Sequence, residues 1–257
     1  MPLSIQDWHQ RYIQQASWTK DLRDHLYKKA RIQEVARVLD VGSGTGALER
    51  EIVGRTQASV YSLDIDSASL KFLSSLEFKT ILTQGDAHEL PYGSDVFDIC
   101  LCHFVLLWVK DPGAVVAEMR RVTHPDGFVL ALAEPDYEGR IDYPPELTQI
   151  GAWQRESLRL QGADHEMGRK LAGIFARAGL IQIETGVLGG QWVIPPAKEA
   201  LASEWSVIQS DLLNLAAPPQ DWQYLEILKQ KDASAWQTGI RVLYVPTFYA
   251  IGTVPAE

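Results

Sequence analysis

The chain has 257 residues, enough to bury a large α/β core. Hydrophobic residues make up 46% of it and the formal net charge is −9. That balance excludes a disordered chain and argues against phosphate-rich partners, whether nucleic acid or an anionic membrane. The two cysteines, Cys100 and Cys102, lie two positions apart in an apolar run, with no second Cys/His pair at metal spacing. Neither a zinc site nor a disulfide is expected from them. The opening Met-Pro-Leu-Ser leads into charged and aromatic residues and does not read as a signal sequence, and no apolar run is long enough to span a membrane. A soluble, cytoplasmic protein is expected.

Residues 4–29 read as helix, with Ser4 and Asp7 as a capping box and Ile5, Trp8, Tyr12 and Ala16 at helical spacing. Ser17-Trp18-Thr19 breaks it, and Leu22, Leu26 and Tyr27 face inward in the second half. A strand over Arg37–Val41 runs into a glycine turn. A second strand over Ala58–Leu63 ends at Asp64, and Asp66 caps a helix carrying Leu70, Leu73 and Leu76. A third strand covers Thr80–Thr83 and a fourth, continuously apolar, Val96–Cys102. Asp111-Pro112 opens a helix with Val115, Val116, Met119 and Val122 on one side; Pro125-Asp126-Gly127 makes a turn, and Phe128–Ala133 is a fifth buried strand. Strands alternating with helices imply a parallel, doubly wound sheet. Beyond Glu134 come a polar loop (Pro135–Pro145), a helix near Trp153–Leu160 and a helix over Gly168–Ala178 stopped by Gly179. A strand over Ile181–Val193 follows, then a helical stretch over 197–238 interrupted by Pro218-Pro219, and a last strand around Thr247–Val254. The sheet does not need that late helical stretch, which reads as a cap.

The segment Val-Leu-Asp-Val-Gly-Ser-Gly-Thr-Gly, Val38 to Gly46, carries most of the functional information. A strand, a glycine turn and a helix N-terminus form a nucleotide-binding corner, and Gly42, Gly44 and Ala47 even satisfy the dinucleotide fingerprint. Asp40 changes the reading, because a carboxylate beside the turn repels a pyrophosphate but pairs with an ammonium group. Here the chain resembles the class I S-adenosylmethionine-dependent methyltransferases, whose first motif is an acidic residue followed by Gly-x-Gly-x-Gly. The resemblance continues through Gly85-Asp86-Ala87, Phe97-Asp98, Asp111-Pro112 and Arg120-Arg121-Val122-Thr123-His124-Pro125-Asp126-Gly127, where Asp126 replaces a glycine. It runs from about Ala36 to Glu134 and is greatest to the small-molecule subgroup typified by quinone-biosynthesis methyltransferases.

The resemblance implies a Rossmann-like seven-strand sheet with its last strand antiparallel, in one methyltransferase domain over 1–257. N-terminal helices (1–30) form a flap, residues 36–134 the cofactor core and 195–240 a helical cap insert. It implies S-adenosylmethionine as cofactor and a small-molecule substrate, in a monomer or homodimer. Asp40, Gly42, Ser43, Gly44, Thr45 and Gly46 are expected around its amino-acid end. Asp64, about 20 residues beyond the turn, suits the ribose hydroxyls of either a nicotinamide cofactor or S-adenosylmethionine. Ile65 is expected on the adenine face, with Asp86 and Ala87 at the ring edge. Tyr12 and Trp18 either close over the sulfonium or pack as core aromatics. His103, ending the fourth strand, is expected beside the methyl group, as a base or as a pocket wall.

Glu134, Tyr137 and Arg140 follow the fifth strand at the ligand-binding edge and are expected to meet substrate; the loop's carboxylates are not expected to hold a metal. Trp153, Trp192, Trp205, Trp222 and Trp236 all fall after residue 150. A cap so rich in flat aromatics suits an apolar or planar substrate, with two of the five, Trp153 and Trp192 foremost, expected in the pocket. The cap and the N-terminal helices are expected to roof it. The sequence Leu101-Cys102-His103-Phe104 lacks the Asn/Asp-Pro-Pro-Tyr signature of base-amine methyltransferases. Two alternatives are a protein that binds the cofactor without turnover and a nicotinamide-dependent oxidoreductase, although no Tyr-x-x-x-Lys pair is evident.

Overall fold

A computed structural model describes residues 3–188, 198–213, 215 and 222–256. The chain forms two compact units: a core from Leu3–Glu134, Met167–Leu188 and Thr247–Glu257, and a cap from Pro135–Glu166 and Gly189–Pro246. The insert expected at 195–240 is therefore one of two segments building the cap. The other leaves the core directly after Glu134.

The core opens with α1 (Ile5–Trp18) and α2 (Lys20–Lys29), separated at Thr19. The Ser4–Asp7 capping box forms as expected. There follow β1 (Arg37–Val41), α3 (Glu49–Arg55), β2 (Ser59–Asp64), α4 (Ser67–Ser74), β3 (Thr80–Gln84), β4 (Phe97–Cys102), α5 (Pro112–Val122) and β5 (Thr123–Pro135). The sheet order is β3-β2-β1-β4-β5-β9-β7, completed by strands beyond the cap's first segment. Chain order reverses between β1 and β4, so the crevice at their carboxyl ends is the natural ligand site of an open parallel sheet. β1 pairs parallel with both β2 and β4, with Asp40 opposite Ser62 and Leu101. Val38, Leu39 and Val41, like Ile99, Cys100, Leu101 and Cys102, are fully buried. Helices cover both faces, which is why these strands read as continuous apolar runs.

The N-terminal helices are anchored. Leu26 and Tyr27 of α2 pack into the same cluster as Ile52, Val38, Leu101, Leu132 and Ile251. Truncating a side chain such as Leu26 costs about 2–5 kcal/mol. Arg23 of α2 clamps Glu51 of α3 through both guanidinium edges, at 3.1 and 2.6 Å.

The core closes with α7 (Met167–Arg177) and β7 (Ile181–Val187) and, late in the chain, β9 (Thr247–Thr253); the cap contributes β6 (Ile141–Tyr143), α6 (Thr148–Leu160), α8 (Lys198–Leu213), α9 (Trp222–Gln237) and β8 (Val242–Tyr244). β9 sits between β5 and β7 and runs antiparallel to β7, as expected of the last strand. The cap has its own apolar cluster, Leu147, Ile150, Trp205, Ile208, Leu212, Leu225 and Leu228. β6 and β8 pair there as a small antiparallel sheet that sequence patterning missed. Expected features at 189–197 and at Pro218-Pro219 lie outside the described residues.

Candidate functional site

The glycine turn hangs on the end of β2. Gly42 and Ser43 both donate their N–H to the carbonyl of Leu63, at 2.8 and 3.0 Å. Gly44 donates to Asp64 Oδ2 at 2.7 Å, while Asp64 Oδ1 accepts from the Asp66 amide at 2.8 Å. Gly42, Gly44 and Gly46 all have positive φ, but for different purposes. A Cβ on Gly42 would strike Val105 at 2.5 Å and one on Gly46 would strike Leu73 at 2.3 Å, whereas one on Gly44 would meet nothing within 4 Å. The outer glycines let the turn pack against the core; the middle one keeps the space beside its amide open. Thr45 is held from the other side, its Oγ1 lying 2.9 Å from His9 Nδ1 on α1. His9 is buried against Phe72 and was not singled out from sequence, because a histidine on an amphipathic helix carries no signal of what it will face.

Asp40 is buried beside Glu49, the first residue of α3, which is wholly sealed from solvent. Burial raises both carboxyls above the usual range, and for Asp40 the neighbouring Glu49 adds to it. Among the described residues neither Glu49 oxygen nor the buried Ser43 hydroxyl makes a hydrogen bond. Acidic groups left unneutralised at a helix N-terminus and a glycine turn suit a cationic ligand group and disfavour a pyrophosphate. Along the same edge Ile65 is 68% exposed, an apolar face that the described residues leave open. Asp86 is exposed; its Oδ1 accepts from the amide and Nδ1 of His88, at 2.9 and 2.7 Å, and this lowers its pKa. His88 Nε2 in turn accepts the Asp111 amide at 3.2 Å, so the aspartate is aimed by a fixed imidazole. Ala87 lies half-buried beside it. Tyr12 stacks on Trp8 and lies near enough to Asp64 and Asp66 for their charge to add to burial in raising its phenol pKa. Trp18 is half exposed, with the Arg11 guanidinium 5.1 Å from its ring centroid.

His103 ends β4, edge-on to Phe104. Its Nε2 lies 3.1 Å from Thr19 Oγ1, and that oxygen lies 2.5 Å from an Arg23 nitrogen. Burial first, and then the Arg23 charge, pull its pKa down to about 3.

Of the residues expected to meet substrate, Glu134, Arg140 and Trp153 have protein partners. Glu134 is fully buried, its Oε1 accepting from the amides of Val105 and Leu106 (both 2.9 Å) and its Oε2 from Leu107 (3.2 Å). It fastens the loop after β4, and burial raises it to about 7 against the pull of those amides. The geometry gives it a structural task. Within the cap, the Arg140 side chain is sealed and paired with Asp142 at 2.6 Å, and hydrogen-bonds Gln154. Asp142 also pairs with Arg241 at 2.8 Å, and Arg241 with Asp232 at 2.7 Å. Asp232 accepts from Trp205 Nε1 at 3.0 Å, closing a balanced network. Arg140 is thus committed to the cap interior. Trp205 belongs to the cap's own core and Trp153 packs against it, edge-on to Tyr224 at 6.3 Å. The cap tryptophans therefore give less support to a flat aromatic substrate than their number implied. Tyr137 begins a short 3-10 turn, its amide donating to the His165 carbonyl. Trp192 lies outside the described residues.

Comparison with known proteins bears on this geometry. A methyltransferase-domain family matches residues 39–131. An uncharacterized methyltransferase of Schizosaccharomyces pombe is 30% identical over 171 residues, 61% of each chain. The ubiquinone/menaquinone biosynthesis C-methyltransferase of Coxiella burnetii is 33% identical over 119 residues, 43% of this chain and 47% of that one. The chain thus spans about three fifths of the first relative's length and under half of the second's. Among solved structures, Haemonchus contortus phosphoethanolamine N-methyltransferase 2, in complex with S-adenosylhomocysteine, matches with a TM-score of 0.59 at 17% identity, covering 92% of this chain and 53% of that one.

Proposed function

We propose that this chain belongs to the class I S-adenosylmethionine-dependent methyltransferases and transfers a methyl group from that cofactor to a small-molecule acceptor. The observation that carries the reading is the corner where the Gly44 amide meets the Asp64 carboxylate at 2.7 Å with open space beside Gly44. The residues fit the cofactor. Asp40, with Glu49 behind it, gives the ammonium of the methionine end an acidic partner whose ionised form a bound cation would favour. Asp64 keeps lone pairs for the ribose hydroxyls, the uncovered Ile65 offers the adenine a face, and Asp86 offers the ring an acceptor oxygen aimed by His88. Bound there, the cofactor would supply an electrophilic methyl group on a cationic sulfur.

The protein's share is then alignment and exclusion of water more than acid–base chemistry. Glu134 holds the loop after β4 in place, and His103 presents its ring at the carboxyl end of β4, next to the switch point. A small acceptor is favoured over a polyanion by the net charge of −9. The fission-yeast and Coxiella relatives, both methyltransferases by name, support the reaction class.

Isothermal titration with S-adenosylhomocysteine tests the reading. One molecule is expected to bind per chain, and Asp64→Ala is expected to weaken it by about tenfold or more, the scale of a lost hydrogen bond to a charged group. Well-folded protein that binds none would overturn it. A metabolite panel read by S-adenosylhomocysteine release then identifies the acceptor.

A further inference from the structure

We propose that His103 works as a neutral hydrogen-bond donor whose tautomer is set by Thr19 and Arg23, and that it faces an acceptor needing no deprotonation, an oxygen anion such as a carboxylate. The inference rests on the methyl-transfer reading above and names the acceptor chemistry of that same site.

The hydrogen-bond inventory fixes the tautomer. Arg23 has only donors, so where its Nη1 lies 2.5 Å from Thr19 Oγ1 the hydroxyl oxygen accepts. The hydroxyl's one proton must go elsewhere. The Ala16 carbonyl, 3.3 Å away, already accepts from Arg23 at 2.5 Å and from the Thr19 amide at 3.3 Å. His103 Nε2 is nearer, at 3.1 Å, and receives it. Nε2 is then an acceptor and Nδ1 carries the ring proton. Among the described residues Nδ1 has no hydrogen-bond partner and the residue is only partly buried, so we assign that N–H to a ligand.

The electrostatics keep the ring neutral. Arg23 is 2% exposed and pinned by Glu51 at 2.6 Å, so its charge cannot swing away when the imidazole gains a proton. Among the described residues the charge acting on the ring is Arg23 from α2, with Glu51 from α3 behind it. A base here would become an imidazolium beside a buried guanidinium, which the geometry opposes. A carboxylate escapes that difficulty. One oxygen accepts the Nδ1 proton's hydrogen bond while the other uses a lone pair to form the new O–C bond as the C–S bond breaks. The carboxylate becomes a neutral ester, the sulfonium a neutral thioether, and no proton moves. Thr19 and Arg23 are positioning residues in this scheme.

Long-range 1H–15N correlation spectra of imidazole-labelled protein, free and saturated with S-adenosylhomocysteine, test it. The expected result is a neutral His103 in the Nδ1–H form from pH 5 to 8. Thr19→Val should convert it to a mixture or to the Nε2–H form, and Arg23→Gln should raise its titration midpoint, with S-adenosylhomocysteine affinity held within threefold. A wild-type ring that titrates between pH 5 and 8, or that carries its proton on Nε2, would overturn the proposal. So would a panel in which neutral alcohols turn over with a rate rising with pH while carboxylates do not. Failure to bind S-adenosylhomocysteine is a separate outcome that removes the underlying reading, since the tautomer of the free protein is observed regardless.

Discussion

Replacing Gly44 with alanine separates ligand binding from folding more cleanly than any other change in the glycine turn. Its φ of +53° places an alanine in the left-handed region, at a cost of about 1–2 kcal/mol. No atom lies within 4 Å of the added methyl, so no packing penalty is added. For a chain of this size that corresponds to a fall in thermal midpoint of about 2–8 °C. The methyl does, however, occupy the open space beside the amide that Asp64 accepts, and S-adenosylhomocysteine affinity should fall at least tenfold, about 1.4 kcal/mol. Gly46→Ala provides the contrast. It has the same backbone strain, and its Cβ would also sit 2.3 Å from Leu73 Cδ1 in the core. Overpacking adds about 1–3 kcal/mol, so this variant should lose clearly more stability than Gly44→Ala. Thermal melts followed by circular dichroism, with titration calorimetry of each folded variant, give both numbers. The reasoning fails if Gly44→Ala binds with wild-type affinity, or if it destabilises the protein as much as Gly46→Ala.

Two further outcomes follow from buried charge. Burial pushes Glu49 up to about 7 from an ordinary 4.5, so the folded state holds a proton that the unfolded chain releases between those values. Stability should therefore decline as pH rises from about 4.5 to 7, by on the order of 1–3 kcal/mol from this group. Glu49→Gln should flatten that decline and raise the melting midpoint at pH 8 but not at pH 4.5; an unchanged slope would contradict it. In the cap, Asp142→Ala strands the Arg140 and Arg241 guanidiniums, a loss of about 3–5 kcal/mol for a broken buried pair. Amide hydrogen exchange should accelerate across 141–160 and 222–244, and protection there equal to the wild type would show that the network carries no stability.

The order of core elements was legible because parallel strands buried on both faces write themselves as uninterrupted apolar runs, and because caps such as Ser4, Asp66 and Asp111 are local. The glycine turn was legible for the same reason: its requirements lie within nine residues. What escaped the sequence was set by distant partners. His9 on Thr45, Thr19 and Arg23 on His103, and His88 aiming Asp86 each depend on which elements the fold brings together. Glu134 and Arg140 show the same dependence. Polar residues at a ligand-binding edge suit substrate contact, yet one holds three loop amides and the other a carboxylate two residues away. The tryptophans after residue 150 misled similarly, since a small helical unit must build its own core from large side chains, as Trp205 does.

The position of β9 also governs how the chain can assemble. Residues 247–253 lie between β5 and β7, so the two neighbours of the closing strand are made long before it. While the intervening residues of the cap are being synthesised, β5 presents an unpaired edge along Val129–Ala133, all fully buried in the finished protein. The core sheet is completed only when the last strand leaves the ribosome. The partly made chain must keep a hydrophobic strand edge unoccupied until then, at the stage when intermolecular strand pairing competes most strongly with folding.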